Sequence, residues 1–318
     1  MNRSTCPAFS RRDILRLGAV GLSSLTLPAI LRAEREGAIP KAKNVIFIWQ
    51  QGGPPHQDMW DMKPEAPDGI RGEFSPIQSD IPGYNVCELM PLLAKQGKKL
   101  CIVRGVNHHI PDHNPASRFM PGSGNPPSQS LKYPSWSTVV KKETPEVPGL
   151  PTAVAIPSEP SEGPGAGFLG SAFQSFALQS DPNDKSFQVR AMTLPTGIDR
   201  ERFDRRNALL RDSEKSFENL AERPDILRSL DKNYQDAHQI ILSPTTNRAF
   251  QIDEEPEKLR ERYGRTKLGQ RLLLARRLIE AGVRFVPINE PVGWDTHADN
   301  FKRLRQNLPV VDQGVSAL

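Results

Sequence analysis

Asp295 and His297 stand two positions apart in Gly293-Trp294-Asp295-Thr296-His297, directly after the apolar run Val283-Arg284-Phe285-Val286-Pro287-Ile288. A carboxylate and an imidazole so close together can ligate a divalent metal such as Zn²⁺ or Mn²⁺, or exchange a proton. The same residues could instead cap a following helix, with Asp295 or Thr296 at its N-terminus. Asp112-His113 is a second such pair, in a loop restricted by Pro111 and Pro115. His56, Asp58 and Asp61 form a third group, after Gly52-Gly53. His108 and His109 are neighbours, so in extended chain they point to opposite faces. His238 lies among charged residues of an expected helix and reads as structural or solvated. No G-x-S-x-G elbow, Cys–His nucleophile pairing or phosphate-binding glycine loop is present.

The elements that must position these residues are strands. Asn44 to Trp49 is β-branched and aromatic without polar alternation, as in a strand of a parallel sheet buried on both faces. Leu100 to Val106 and Val283 to Ile288 read the same way. Each is followed by a loop carrying His and Asp, and in open α/β sheets ligands bind outside the carboxyl ends of the strands. Thr152 to Ile156 is a further expected strand. Short helices are expected over Glu88–Gly97 and Ser135–Lys142. Longer ones are expected over Asp199–Ala221, capped by Asp199, over Ile226–Leu242, and from Glu255-Pro256 to a stop at Gly282. Another follows Asp299. The fold class is therefore α/β, a mostly parallel sheet with helices on both faces. Residues 44–318 form the domain, and residues 199–282 its helical segment.

Residues 1–33 read as a signal peptide rather than as part of the fold. Ser10-Arg11-Arg12-Asp13-Ile14-Leu15-Arg16 precedes a weakly apolar run and Arg32-Ala33, which resembles a twin-arginine signal. Residues 34–43 are a polar linker. The expected partner is the twin-arginine export machinery, and the expected location is periplasmic or secreted. Five arginines lie in this leader; without them the basic and acidic residues nearly balance, so the pI of about 9.1 is no sign of nucleic-acid binding. No later stretch is apolar enough to span a bilayer. Of the three cysteines, Cys6 lies in the leader. Cys87 and Cys101 read either as a disulfide or, preferably, as two buried thiols.

Several segments together resemble the bacterial family called domain of unknown function 1501. They are Gly52-Gly53-Pro54 with Asp58, Asp61-Met62-Lys63-Pro64, Arg71-Gly72-Glu73-Phe74, Glu88-Leu89-Met90-Pro91, Arg104-Gly105-Val106 and Gly293 to His297. That family is placed in the alkaline phosphatase-like superfamily, with sulfatases and phosphoglycerate mutases. The resemblance implies a parallel sheet with a metal centre at its carboxyl edge. Asn114-Pro115-Ala116-Ser117-Arg118, followed by Gly124, is similar to the sulfatase nucleophile segment. It implies an anion-binding role for Arg118 and puts Asn114 where the nucleophile would stand. Asn cannot attack phosphorus or sulfur as Cys, Ser or Thr derivatives do. The first strand ends in Gln50-Gln51-Gly52, where the superfamily usually has Asp.

The expected function is an exported metal-dependent hydrolase-like protein acting on a phosphate or sulfate ester, carbohydrate-linked in one version. Asp295, His297, Asp112 and His113 would hold a divalent ion (Zn, Mn or Ca), and Arg118 with Asn114 would face the substrate. The alternative is a non-catalytic exported protein that binds a glycan or surface component. The family's later segments are absent, so the chain is expected to continue beyond Leu318.

Overall fold

In the computed structural model the described residues are 42–126, 128–160, 163–185, 187–189, 199–217 and 243–318. The expected signal, most of the linker and the helix expected over Ile226–Leu242 lie outside them. In chain order the elements are β1 (Val45–Trp49), α1 (Asp68–Arg71), β2 (Pro76–Gln78), β3 (Asn85–Cys87), α2 (Pro91–Ala94), α3 (His113–Ser117), α4 (Trp136–Glu143), β4 (Val154–Ala155), β5 (Phe176–Ala177), α5 (Arg200–Phe217), α6 (Pro244–Phe250), α7 (Glu257–Tyr263), α8 (Lys267–Ala281), β6 (Phe285–Asn289) and α9 (Asn300–Ala317).

The parallel strands carry the fold. β1 pairs with β6 in parallel, from Val45 opposite Phe285 to Trp49 opposite Asn289. Single parallel bridges, Ala153 to Phe285 and Ile156 to Ile288, set β4 on the other side of β6. β5 then pairs with β4 in parallel. The order is β1, β6, β4, β5, an α/β arrangement in which β6 is internal. Side chains alternate across a strand. Ile46, Ile48, Val286 and Ile288 accordingly join the core with Leu272, Leu273 and Leu278 of α8. On the other face Phe47 stacks on Phe285 and meets Trp49 edge-on, both at 6.0 Å. β2 and β3 form a separate antiparallel pair.

Helix α8 delivers the chain into β6. Thr266 caps its start, accepting from the Gly269 amide at 3.1 Å. Gly282 closes it in the left-handed conformation, φ 112°, with Val283 N–H returning to Leu278 O at 3.0 Å. The helix expected from Glu255 to Gly282 is in fact two. The chain turns at Gly264, φ 89°, and Gly269 seats α8 so tightly on the carbonyls of Tyr263 and Gly264 that no side chain fits there. Asp199 caps α5 as expected, accepting from the Arg202 amide at 2.7 Å. Ser135 likewise caps α4.

Leu100 to Val106 is not a strand. It follows a short turn, has no regular structure, and leaves Val103 69% exposed. A strand exists through its neighbour's backbone, and no described strand lies beside this run. The loop is held instead through Arg104, which donates to Asp61 at 3.0 Å. Cys87 is buried and Cys101 exposed, both as free thiols, so the pair is neither a disulfide nor two buried groups. Among the described residues no helix is long and apolar enough to cross a membrane.

Candidate functional site

Because β1 and β6 are parallel, the loops after them emerge at the same edge of the sheet. Gly52, just past β1, lies directly against Asp295, just past β6. A β-carbon on Gly52 would stand 2.6 Å from the Asp295 nitrogen, and its φ is +100°. Glycine is required there on both counts.

The Asp295 carboxylate is the point of convergence. His297 Nε2 lies 2.9 Å and His113 Nε2 3.2 Å from the same oxygen, Oδ2. His113 opens α3 and comes from a part of the chain about 180 positions earlier, so three of the four expected ligands meet in space. The group is open to solvent, with the Asp295, His113 and His297 side chains 43%, 53% and 82% exposed. The fourth expected ligand, Asp112, is exposed at the N-cap position of α3, and no hydrogen bond ties its carboxylate to the group.

The capping alternative fails. Helix α9 begins at Asn300, and its cap residue Asp299 is in the left-handed region, φ 55°, with no side-chain cap bond. His297 is also left-handed, φ 48°. Two non-glycine residues in that region cost about 1–2 kcal/mol each. Such strain persists where surrounding contacts over-determine it, commonly at functional sites. One of those contacts runs through Thr296, whose hydroxyl donates to Asn300 Oδ1 at 3.4 Å. Asn300 Nδ2 in turn donates to Asp58 Oδ2 at 3.3 Å.

Asp58 is buried, and burial raises its pKa despite the bond from Asn300 and the nearby His56. Gly72 leaves it room, since a side chain at that position would overlap its carboxylate. Asp61 is committed elsewhere, to Lys63 at 2.7 Å, Arg104 at 3.0 Å and His56 at 3.5 Å. The bond from Lys63 is the main reason its carboxyl lies below the usual range. His108 accepts from the Ile110 amide at 3.2 Å, and neither it nor His109 reaches the cluster.

Helix α3 runs on into a wider turn over Arg118–Ser123, so Asn114 and Arg118 follow His113 closely along one helical stretch. Both are exposed. Arg118 and Lys132 line a cavity of about 270 Å³, together with Ser123, Asn125 and Tyr133. Neither cation has an acidic partner among the described residues. The cavity therefore suits an anion.

The sequence reading missed Glu290. It follows β6, is 4% exposed, and its Oε2 accepts the Trp294 indole N–H at 2.6 Å. Its other oxygen is enclosed without a hydrogen-bond partner. Burial pushes this acid up to about 7. An acid directly after an apolar strand was the available signal, but it resembles any solvated strand end.

Two imidazoles and a carboxylate are a donor set that suits Zn or Mn. As placed, both ring nitrogens lie close to one carboxylate oxygen rather than around a shared centre. Among the described residues no group of three or more His, Cys, Asp or Glu is arranged to hold a metal ion. The geometry is that of a His297–Asp295 hydrogen bond with His113 within ion-pair reach of the same oxygen. No curated protein and no solved structure matches the chain. Residues 42–318 match the family model described as "Protein of unknown function (DUF1501)", and the chain belongs to that family.

Proposed function

We propose that the protein is an exported hydrolase acting on a phosphate or sulfate ester, carbohydrate-linked in one version, and built on an alkaline phosphatase-like fold. The observation that supports it is the meeting of His113 and His297 on Asp295 at the carboxyl edge of parallel strands. A carboxylate accepting an imidazole Nε2–H fixes that tautomer and leaves Nδ1 as the base. Such a base can take a proton from water as the water attacks the ester centre, with the proton passing to the leaving oxygen. Arg118 supplies a planar, bidentate donor for the anionic group, with Lys132 as a second cation. Water as nucleophile accounts for Asn114 standing where related enzymes carry a reactive side chain.

A divalent ion (Zn, Mn or Ca) would need Asp295, His113 and His297, with Asp112, to turn toward a common point. Bound there, it would polarise the ester or lower the pKa of water. The steps above run through side chains alone. Export through the twin-arginine machinery, with a periplasmic or secreted destination, belongs to the same reading and rests on Arg11 and Arg12.

The test uses the folded full chain. Metal content is measured, and hydrolysis of p-nitrophenyl phosphate and p-nitrophenyl sulfate is followed for wild type and Asp295→Ala. The expected result is hydrolysis of one ester, reduced about 10²-fold or more in the variant. No hydrolysis of either ester, or equal rates in both proteins, would sink the reading. The second reading, a non-catalytic glycan- or surface-binding protein, is favoured by the openness of the cluster and by Asn114. It predicts glycan binding that Arg118→Ala weakens, without turnover.

A further inference from the structure

Glu290 sits beneath both loops that build the cluster. Its amide donates to Trp49 O at 3.1 Å, which fixes it to the end of β1. Its Oε2 holds the Trp294 indole at 2.6 Å, and the Gln50 side chain also faces the carboxyl. One acid therefore joins the residue after β1 to the residue immediately before Asp295. Its Oε1 is enclosed and unpaired. The charged group facing it from α8 is Arg271, which is already engaged by the buried Asp181 at 3.0 Å and by the Asn289 carbonyl.

We propose that Glu290 is a positioning residue whose protonation state sets the hold on Trp294 and, through it, the placement of Asp295 against His113 and His297. As a neutral acid it keeps the indole bond in a dry pocket. As a carboxylate it attracts the Trp294 and Gln50 donors more strongly, but its charge is enclosed and Oε1 has no partner, a state that is relieved by letting water in under the loop. Burial outweighs the pull of Trp294, Gln50 and Arg271, so the change falls near neutral pH.

The readout is the indole itself, so it stands whether or not the protein hydrolyses an ester. The full chain is labelled with 5-fluorotryptophan, and the Trp294 resonance is assigned with Trp294→Phe. The expected result is a shift with midpoint near pH 7 in wild type, retained in His113→Ala and His297→Ala and absent in Glu290→Gln. Glutamine keeps an oxygen for the indole but cannot ionise. A resonance that is flat from pH 5 to 9, or a transition that survives in Glu290→Gln or disappears in both histidine variants, would overturn the assignment. If Glu290→Gln does not fold, wild-type protein labelled with [¹³C]glutamate serves instead. One carboxyl must then titrate with the midpoint of the Trp294 resonance, and different midpoints would overturn the assignment equally.

Discussion

Gly52 and Gly53 make the same backbone demand in different surroundings. Both have positive φ, +100° and +77°, but a β-carbon on Gly53 meets open space while one on Gly52 meets Asp295. Gly53→Ala should cost only the left-handed strain, about 1 kcal/mol. Gly52→Ala adds an overlap with backbone, for a total of about 3 kcal/mol. It should also move the His113 and His297 ring resonances, because Asp295 is displaced. Urea unfolding beside histidine NMR checks this. Equal costs and unmoved rings would mean that the loop after β1 does not set the cluster. The meeting of His113 and His297 on Asp295 was legible in the sequence only as two separate acid–imidazole pairs, because which loops share a sheet edge is set by pairing and not by residue type. Asp112 stands apart from the cluster because a residue beside His113 in sequence need not share its direction. Glu290 stayed hidden because burial, not residue type, gives it its character.

Elements were readable wherever their signals are local. Ser135, Asp199 and Gly282 punctuate helices as their chemistry requires. The Gly264 turn was missed because the apolar spacing continues across it. The run from Leu100 failed as a strand because pairing, which its composition cannot report, was lacking. Helix α2 shows the extreme case. Its first turn has no local cap, and the buried Asp312 of α9 supplies one from 219 residues away, accepting from Leu93 N–H at 2.7 Å and Leu92 N–H at 3.0 Å. Asp312→Ala would strand both amides, one of them buried, at a cost of about 2–3 kcal/mol. Asp312→Asn keeps one acceptor and should cost less. Denaturant midpoints of the two variants decide it. If Asp312→Ala is no worse than an exposed change such as Lys302→Ala, the clamp between α9 and α2 contributes nothing.

At the scale of the molecule, buried acids couple stability to pH. Asp58 and Asp312 are raised by burial, so their folded forms hold protons more tightly and stability falls as pH rises through the acid range. Asp61 and Glu255 run the other way. Asp61 is lowered first by Lys63; Glu255 is lowered because Arg277 and Arg276 outweigh its burial. Their contribution is present above the unfolded pKa and lost as pH falls. These opposing shifts share one pH range, whereas Glu290 reaches further. Its folded pKa of about 7 lies above the ordinary 4.5. Its stabilisation is therefore complete below about pH 4.5 and is lost as pH rises to about 7, a loss of about 3 kcal/mol. The informative quantity is the difference between wild type and Glu290→Gln, in which the contributions of all other groups cancel. Urea unfolding at pH 5 and pH 7.5 should show wild type losing about 2–3 kcal/mol more than the variant across that interval. Parallel losses would mean that the acid beneath Trp294 is hydrated in the folded protein, and that the two loops are joined less tightly than its burial implies.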